Sequence, residues 1–192
     1  MLNQKRPSGV LELKQQAKTE LQESLGWPEE SRRPMICLPA GMSDKLGGEL
    51  FKELLPGLLT LPVELLVVGK GSASYGSLFT KLAKDHGHRV HIVSDTEESL
   101  RSMYTASDIA LFLSDPSHCK ELALSLAAGI VPCSLPCDLL SDYDPVQESG
   151  NAFLFQTENP WQCHAALVRA IETYKLPFDW KTIQRHGMEM GR

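Results

Sequence analysis

The sequence predicts an α/β protein: a three-layer sandwich with helices on both faces of a mostly parallel sheet of about six strands. Three observations carry this expectation. Short apolar runs bounded by turn residues recur along the chain, at residues 35–38, 63–68, 89–93, 109–113, 130–135 and 151–155. Helical patterns alternate with them, which is how parallel crossover units read in sequence. Residues 107–140 compress the whole scheme into one unit. An unbroken apolar run is followed by a Ser/Asp/Pro loop, a small-residue helix that stops at Gly129, and a second apolar run. The loop of such a unit lies at the carboxyl edge of the sheet, where open α/β sheets take their ligands.

The elements follow in order. Between residues 10 and 25, Leu13, Ala17, Leu21 and Leu25 recur every four positions with Lys, Gln and Glu between them. That spacing predicts an amphipathic helix burying the leucine stripe and stopped by Gly26 and Pro28. Residues 28–34, with Glu29, Glu30, Arg32 and Arg33, read as a solvated linker. After the first strand and a loop, a helix over about 49–59 presents Leu50, Phe51, Leu54, Leu55 and Leu58 on one face, with Pro56 and Gly57 expected to shorten or kink it. The strand 63–68 leads through Gly69-Lys70-Gly71-Ser72 into a helix near 74–86 that turns Leu78, Phe79, Leu82 and Ala83 inward. Beyond strand 89–93, an Asp or Ser cap followed by Glu97 and Glu98 suits a helix carrying Leu100, Met103 and Tyr104. Residues 141–145 are turn chemistry, Asn159-Pro160 starts a helix with Leu167, Ala170, Ile171 and Tyr174 on one face, and a last helical piece covers about 180–190. The expected organisation is a helix and linker over 1–34, a Rossmann-like domain over 35–158, and C-terminal helices over 159–192 packed on it.

Composition excludes several function classes. With 192 residues the chain can bury one good core, and 42% hydrophobic with 22% charged residues is ordinary for a globular protein. A net charge of -5 argues against nucleic acid or an anionic membrane as the main partner. No run of apolar residues is long enough to span a bilayer, and the opening residues lack the apolar region of a secretory signal. The five cysteines, Cys37, Cys119, Cys133, Cys137 and Cys163, are scattered and odd in number, which suits reduced thiols in a reducing compartment, cytoplasm or plastid.

Candidate chemistry gathers in the loops after the strands. Gly69-Lys70-Gly71-Ser72 stands between a strand and a helix, so bare amides and Lys70 could receive a phosphate; the plain alternative is a tight turn that needs glycine. Gly47-Gly48 behind Asp44-Lys45 could bring backbone up to a diphosphate with Lys45 neutralising charge, or be a flexible turn beside a solvated lysine. Asp115 and Glu121 bracket the loop of the central unit, with His118 between them. They could orient sugar hydroxyls as a carboxylate pair, or be an exposed loop aspartate and a helix-surface glutamate. No Cys-x-x-Cys pair with a matching His spacing occurs, so no metal site is expected. Trp161, Trp180, Phe153 and Phe155 read as core.

Several segments together resemble a known family. In order they are Leu13-Lys14-x-x-Ala17-Lys18-x-x-Leu21-Gln22-x-x-Leu25-Gly26, Leu54-Leu55-Pro56, Leu66-Val67-Val68-Gly69-x-Gly71, Phe79-x-x-Leu82-Ala83, Arg89-Val90 and Tyr104-x-Ala106-x-Asp108. Asp115-Pro116, Leu126-x-x-Gly129-x-x-Pro132, Gly150-x-x-Phe153-x-Phe155, Arg169-Ala170, Trp180 and Met188 complete the series. The set is similar to the C-terminal half of starch and glycogen synthases, retaining glycosyltransferases built from two Rossmann-like domains in the GT-B arrangement. The resemblance implies one GT-B half that binds a nucleotide sugar, ADP- or UDP-glucose, and needs no other cofactor. It implies that Gly69 and Gly71 lie by the nucleotide, that Asp95 and Thr96 fall near the base, and that the loop from Ser114 to Glu121, with Ser117 and His118, faces sugar and diphosphate.

Departures from the family pattern fall at its charges. Where the family has Ser-Arg-Leu, this chain has Ala40-Gly41-Met42, and where it has Lys-Gly the alignment gives Leu46-Gly47, leaving Lys45 one position early. The Glu-Pro-Cys-Gly-Leu loop becomes Asp115-Pro116-Ser117-His118-Cys119 with one extra residue, and the Thr-Gly-Gly-Leu turn becomes Cys137-Asp138-Leu139-Leu140. A departing nucleoside diphosphate needs positive charge, and losing one such partner costs about 10²- to 10³-fold in rate. A lone half also has no opposing wall to exclude water, so transfer by this polypeptide alone is not expected. The expectation is a degenerate or partial synthase-like domain. The alternatives are half of a working glucan synthase, completed by an N-terminal GT-B domain, and a non-catalytic partner of another glucan synthase.

Overall fold

The computed structural model describes residues 7–191; the opening residues, whose composition bears on secretion, lie outside that range, as does Arg192. Six strands, β1 (Met35–Leu38), β2 (Glu64–Val68), β3 (Val90–Val93), β4 (Ile109–Phe112), β5 (Val131–Ser134) and β6 (Phe153–Leu154), form one sheet in the order β3-β2-β1-β4-β5-β6. Every pairing is parallel. The chain builds outward from β1 in one direction and from β4 in the other, so the boundary between them is the topological switch point of a doubly wound fold. Seven helices cover the faces: α1 (Pro7–Ser24), α2 (Gly48–Leu58), α3 (Ala73–Asp85), α4 (Glu97–Ala106), α5 (Lys120–Ala127), α6 (Pro160–Tyr174) and α7 (Pro177–Met190).

Side chains alternate across the sheet. Ile36, Leu65, Val67, Ile109 and Leu111 pack with Phe51, Leu54, Phe79 and Leu167 on one face. Met35, Cys37, Leu66, Val68 and Ala110 pack with Met103, Leu122 and Leu126 on the other. Burial on both faces is why these strands read as continuous apolar runs.

The helix α1 departs most from its sequence reading. Lys14, Lys18 and Gln22, spaced by four, are 5%, 1% and 0% exposed, while Leu13 of the leucine stripe is 43% exposed. The helix lies along the amino edge of the sheet and hands one polar side chain to each structure it crosses. Lys14 Nζ donates at 3.2 Å to the carbonyls of Tyr104, Thr105 and Ala128, at the ends of α4 and α5, where a cation also meets the negative ends of two helix dipoles. Lys18 Nζ donates to Asp108 Oδ2 at 2.7 Å and to the Tyr174 hydroxyl at 3.0 Å, and the same Asp108 oxygen accepts from the Met35 amide at 2.8 Å. Gln22 Nε2 donates to both oxygens of the buried Glu64 at the start of β2, at 2.8 and 2.9 Å. A helix advances about 6 Å per four residues and parallel strands lie about 4.8 Å apart, so a four-residue polar period suits a helix laid across strand ends.

Four smaller expectations change. α2 runs through Pro56 to Leu58, because Leu54 and Leu58 are both buried against the sheet and Gly57 lets α6 approach: a Cβ there would stand 2.9 Å from the His164 ring. Thr96 is the residue that caps α4, its hydroxyl accepting from the Ser99 amide at 3.4 Å. The last strand shrinks to two residues. Trp161 is 82% exposed, whereas Trp180, Phe153 and Phe155 are buried. Trp161 precedes Cys163 by two positions, about 200° around the helix, which turns it away from the face that Cys163 and Leu167 bury.

Candidate functional site

The switch-point crevice lies between the loop after β1, residues 39–47, and the loop after β4, residues 113–119. Glycine geometry decides its shape. Gly41 has φ +73° and Gly71 φ +122°, a region that side-chain-bearing residues rarely adopt. A Cβ on Gly41 would overlap the Lys70 carbonyl, and one on Gly71 would overlap the Met42 carbonyl. The β1 loop is in fact stitched to the loop after β2, residues 69–72: the Met42 amide donates to the Lys70 carbonyl and the Ser72 amide to the Met42 carbonyl, each at 3.1 Å. Gly47, at φ +84°, brings α2 against the backbone of Leu113, and Gly48 lies on the Tyr75 ring. These glycines therefore serve contact between loops. The crevice that remains is a cavity of about 30 Å³ walled by Met42, Leu46, Leu113, Asp115 and Cys119. That is room for about one water molecule.

Two of the sequence-derived candidates meet. Lys70 Nζ lies 2.8 Å from Glu121 Oε1, and Cys119 Sγ donates to Glu121 Oε2 at 3.1 Å. Burial alone raises the Glu121 carboxyl, yet the hydrogen bonds from Lys70 and Cys119 outweigh it and hold the group below its usual range. The Cys119 thiol is pushed up to about 11, first by burial and then by the neighbouring carboxylate. Glu121 is thus a buried partner of Lys70 and not a helix-surface group. Asp115 turns elsewhere, accepting from the Ser117 amide at 2.9 Å and from the Ser117 hydroxyl, and these bonds lower its carboxyl.

The other candidates stay separate. Lys45 is exposed on the single 3₁₀ turn Asp44–Leu46, His118 is exposed on the β4 loop, and Asp95 is exposed beside the capping Thr96. A second cavity of about 280 Å³ lies along Gly69, Lys70, Gly71 and Ser72, with Phe79 and Ile92 as its apolar wall. α2, α3 and α5 all begin at this edge, at Gly47, Ser72 and Cys119, and none of these three caps its helix through a side chain. At α2 the first amide, that of Gly48, is already spent on the Ser43 carbonyl at 3.0 Å, so the first amides of α3 and α5 are the ones left for an anion. Among the described residues no three His, Cys, Asp or Glu side chains gather where a metal ion could sit, and all five cysteines are free thiols.

Sequence reasoning missed the groups that fill and brace the crevice. Met42 is 2% exposed. The Tyr75 hydroxyl donates to Asp44 Oδ1 at 2.6 Å and to Glu49 Oε1 at 3.3 Å, tying α3 to the turn before α2, and Lys52 Nζ sits 4.9 Å above its ring. Position 75 follows a helix start by three residues and looks like any first-turn aromatic, so only the pairing with Gly48 across the fold gives it meaning.

No family model matches the chain. The glycogen synthase of Syntrophotalea carbinolica is 29% identical over 188 residues, covering 93% of this chain, and that of Cellvibrio japonicus is 29% identical over 180 residues, covering 89%. Over nearly its whole length the chain is similar in sequence to glycogen synthases. It spans 38% and 37% of the length of these two relatives. The catalytic domain of starch synthase IV from Arabidopsis thaliana, solved bound to ADP and acarbose, superposes with a TM-score of 0.75 at 21% identity over 98% of this chain and 41% of its own. Anabaena HepE, solved with UDP and glucose, gives 0.66 at 13% identity over 92% of this chain and 47% of its own. The fold of this glycogen-synthase-like chain is one half of a GT-B glycosyltransferase, with six parallel strands. Among the described residues no helix is long and apolar enough to cross a membrane.

Proposed function

We propose that this chain is a degenerate or partial glycogen-synthase-like domain that binds a nucleotide sugar at most and transfers little or no glucose by itself. One observation carries the reading: among the described residues Lys70 is the only cation lining either carboxyl-edge cavity, and Glu121 already holds it at 2.8 Å. A diphosphate at this edge must displace a carboxylate before it gains a positive charge. Gly41 stands where the resemblance would put a second cation, and its own backbone geometry leaves no room for a side chain. Asp44, which accepts from Tyr75, adds negative charge to the same rim, while Glu49 beside it is paired with Lys52 at 2.6 Å. Stabilising a leaving diphosphate is a large electrostatic requirement, so its loss weighs against turnover more than against binding.

Titration calorimetry with ADP, UDP, ADP-glucose and UDP-glucose tests the binding half of this reading. Weak binding without transfer of labelled glucose to glycogen is expected; transfer by the isolated chain at a rate typical of synthases overturns it. A second reading, half of a working enzyme, draws on the chain covering two-fifths of its relatives' length and on two helix N-termini, of α3 and α5, left without side-chain caps at one edge. It requires activity from the product of the full reading frame, or from this chain mixed with a separate N-terminal GT-B domain.

A further inference from the structure

A groove of about 250 Å³ lies beyond the β6 side of the sheet, where the loop between β5 and β6 meets the junction of α6 and α7. Tyr143, Pro145, Phe153 and Leu176 give it apolar walls. It is smaller than the sites that take drug-sized molecules, about 300–1,000 Å³, and it has room for one large side chain. Its surroundings are apolar as well. Leu176 is 54% exposed, and Val146 and Phe178, next in sequence to the lining residues Pro145 and Asp179, are 90% and 66% exposed. The three present roughly 300 Å² of apolar surface, the scale at which an exposed patch marks an interaction site. The Tyr143 hydroxyl donates to Asp179 Oδ1, which joins the loop to the start of α7 and the two sides of the patch to each other.

The loop is braced. Asp142 ties its base to β6, accepting from the Leu154 amide at 2.8 Å, and Asp144 Oδ1 accepts from the Val146 and Gln147 amides at 2.8 and 3.2 Å. Asp144 and Ser149 bridge across the turn, which closes with Glu148 at φ +49°. Holding Val146 out in water on a strained turn adds nothing to the core, and a surface already ordered loses little freedom when it is covered.

Charge decides what can cover it. Arg169 is taken by Asp142 at 2.9 Å and Lys175 by Glu172 at 2.6 Å, which leaves Asp144, Glu148 and Asp179 without a cation among the described residues. The three act on one point: burial pushes the Tyr143 hydroxyl up to about 12, and the Asp179, Glu148 and Asp144 carboxylates add to it. Two copies of the chain meeting here would set these carboxylates against each other, and an anionic ligand would meet the same repulsion. An apolar side chain flanked by cations complements both the walls and the field.

We propose that this groove is a docking site for a basic amphipathic segment of a partner polypeptide, one large apolar side chain entering between Tyr143, Pro145 and Leu176 and flanking lysines or arginines facing Asp144, Glu148 and Asp179. Titration calorimetry in 50 mM salt tests it with three end-capped hexapeptides: Lys-Lys-Leu-Phe-Lys-Lys, Lys-Lys-Ser-Ser-Lys-Lys and Glu-Glu-Leu-Phe-Glu-Glu. The first binds at least tenfold more tightly than either of the others. L176S/E148K weakens it by about tenfold or more, since one change removes apolar contact and the other turns an attraction into a repulsion. E53K, the same charge change on the exposed face of α2, keeps the affinity within twofold. Should L176S/E148K fail to fold, E148Q serves the same comparison with a loss of about threefold. The proposal is overturned if the first peptide does not bind at 1 mM, if the serine peptide binds as tightly, or if the groove variants bind like the parent. It is also overturned if sedimentation shows a dimer that L176S/E148K dissociates, because the occupant is then a second copy.

Discussion

Gly41→Ala tests how tightly the crevice is built. Gly41 sits at φ +73°, where a residue with a Cβ loses about 1–2 kcal/mol. The added methyl would also overlap the Lys70 carbonyl and stand 2.7 Å from Lys70 Cγ, and forcing a well-packed site apart costs about 1–3 kcal/mol more. The two contributions give an expected loss of about 2–5 kcal/mol, a large part of the roughly 5–15 kcal/mol that holds a domain together. Gly76→Ala is the internal control, because Gly76 lies on the exposed face of α3 with nothing within 4 Å of its would-be Cβ. It should stabilise by about 0.5–1 kcal/mol through helix propensity alone. Urea denaturation of both variants measures the difference from the shift of midpoint at constant slope. If Gly41→Ala lies within about 0.5 kcal/mol of the parent, the stitched loops do not close the crevice and the case against a second cation there fails.

Three more outcomes are expected. Lys18→Met leaves the buried Asp108 without its cation and should cost about 3–5 kcal/mol by denaturant melting; a loss below 1 kcal/mol would remove the buried pair as an anchor of α1. Burial lowers the Lys14 ammonium to about 8 from 10.5, so between those values the unfolded chain holds a proton that the fold releases, and stability rises with pH. Cys37, raised to about 12 by burial, takes stability away above about pH 9, so the window is pH 8–9, where the parent should gain about 1 kcal/mol relative to Lys14→Met and parallel curves would refute the reasoning. Glu121→Gln keeps the shape of α5 but frees Lys70, and should raise affinity for ADP about tenfold by calorimetry, with no gain counting against Glu121 as the obstacle.

Much of the fold was legible because both sheet faces are buried, so every strand announces itself as an apolar run and the helices fill the intervals. Boundaries shifted by a residue or two where capping decided them, as at Thr96. α1 was legible as a helix whose Leu21 and Leu25 pack on the core, but the burial of its polar residues was missed. Periodicity assigns burial to leucines, and it cannot see that Asp108, Glu64 and the ends of α4 and α5 wait at the amino edge for polar partners. The carboxyl edge was legible as loops and glycines, and the contact partners of those glycines were not. In sequence Gly71 reads only as a turn beside a possible ligand; its contact with Met42 shows in the bridge between residues 42 and 71.

The two obstacles to phosphate binding at the carboxyl edge differ in how they could be undone. The Lys70–Glu121 pair is a matter of side chains: Lys70 is partly exposed, its partner can be changed without moving backbone, and one substitution releases the charge. The Gly41 obstacle is a matter of backbone. Placing a cation at position 41 would require the β1 loop to leave the left-handed region and the β2 loop to withdraw the Lys70 carbonyl, and both loops are tied by the hydrogen bonds at Met42 and Ser72. Binding and turnover should therefore separate under mutation. Glu121→Gln is expected to improve diphosphate affinity and leave transfer undetectable, whereas Glu121→Gln with Gly41→Arg should lose stability before it gains a second cation. A combined variant that folds like the parent and transfers glucose would show that the loops part more easily than their glycines imply.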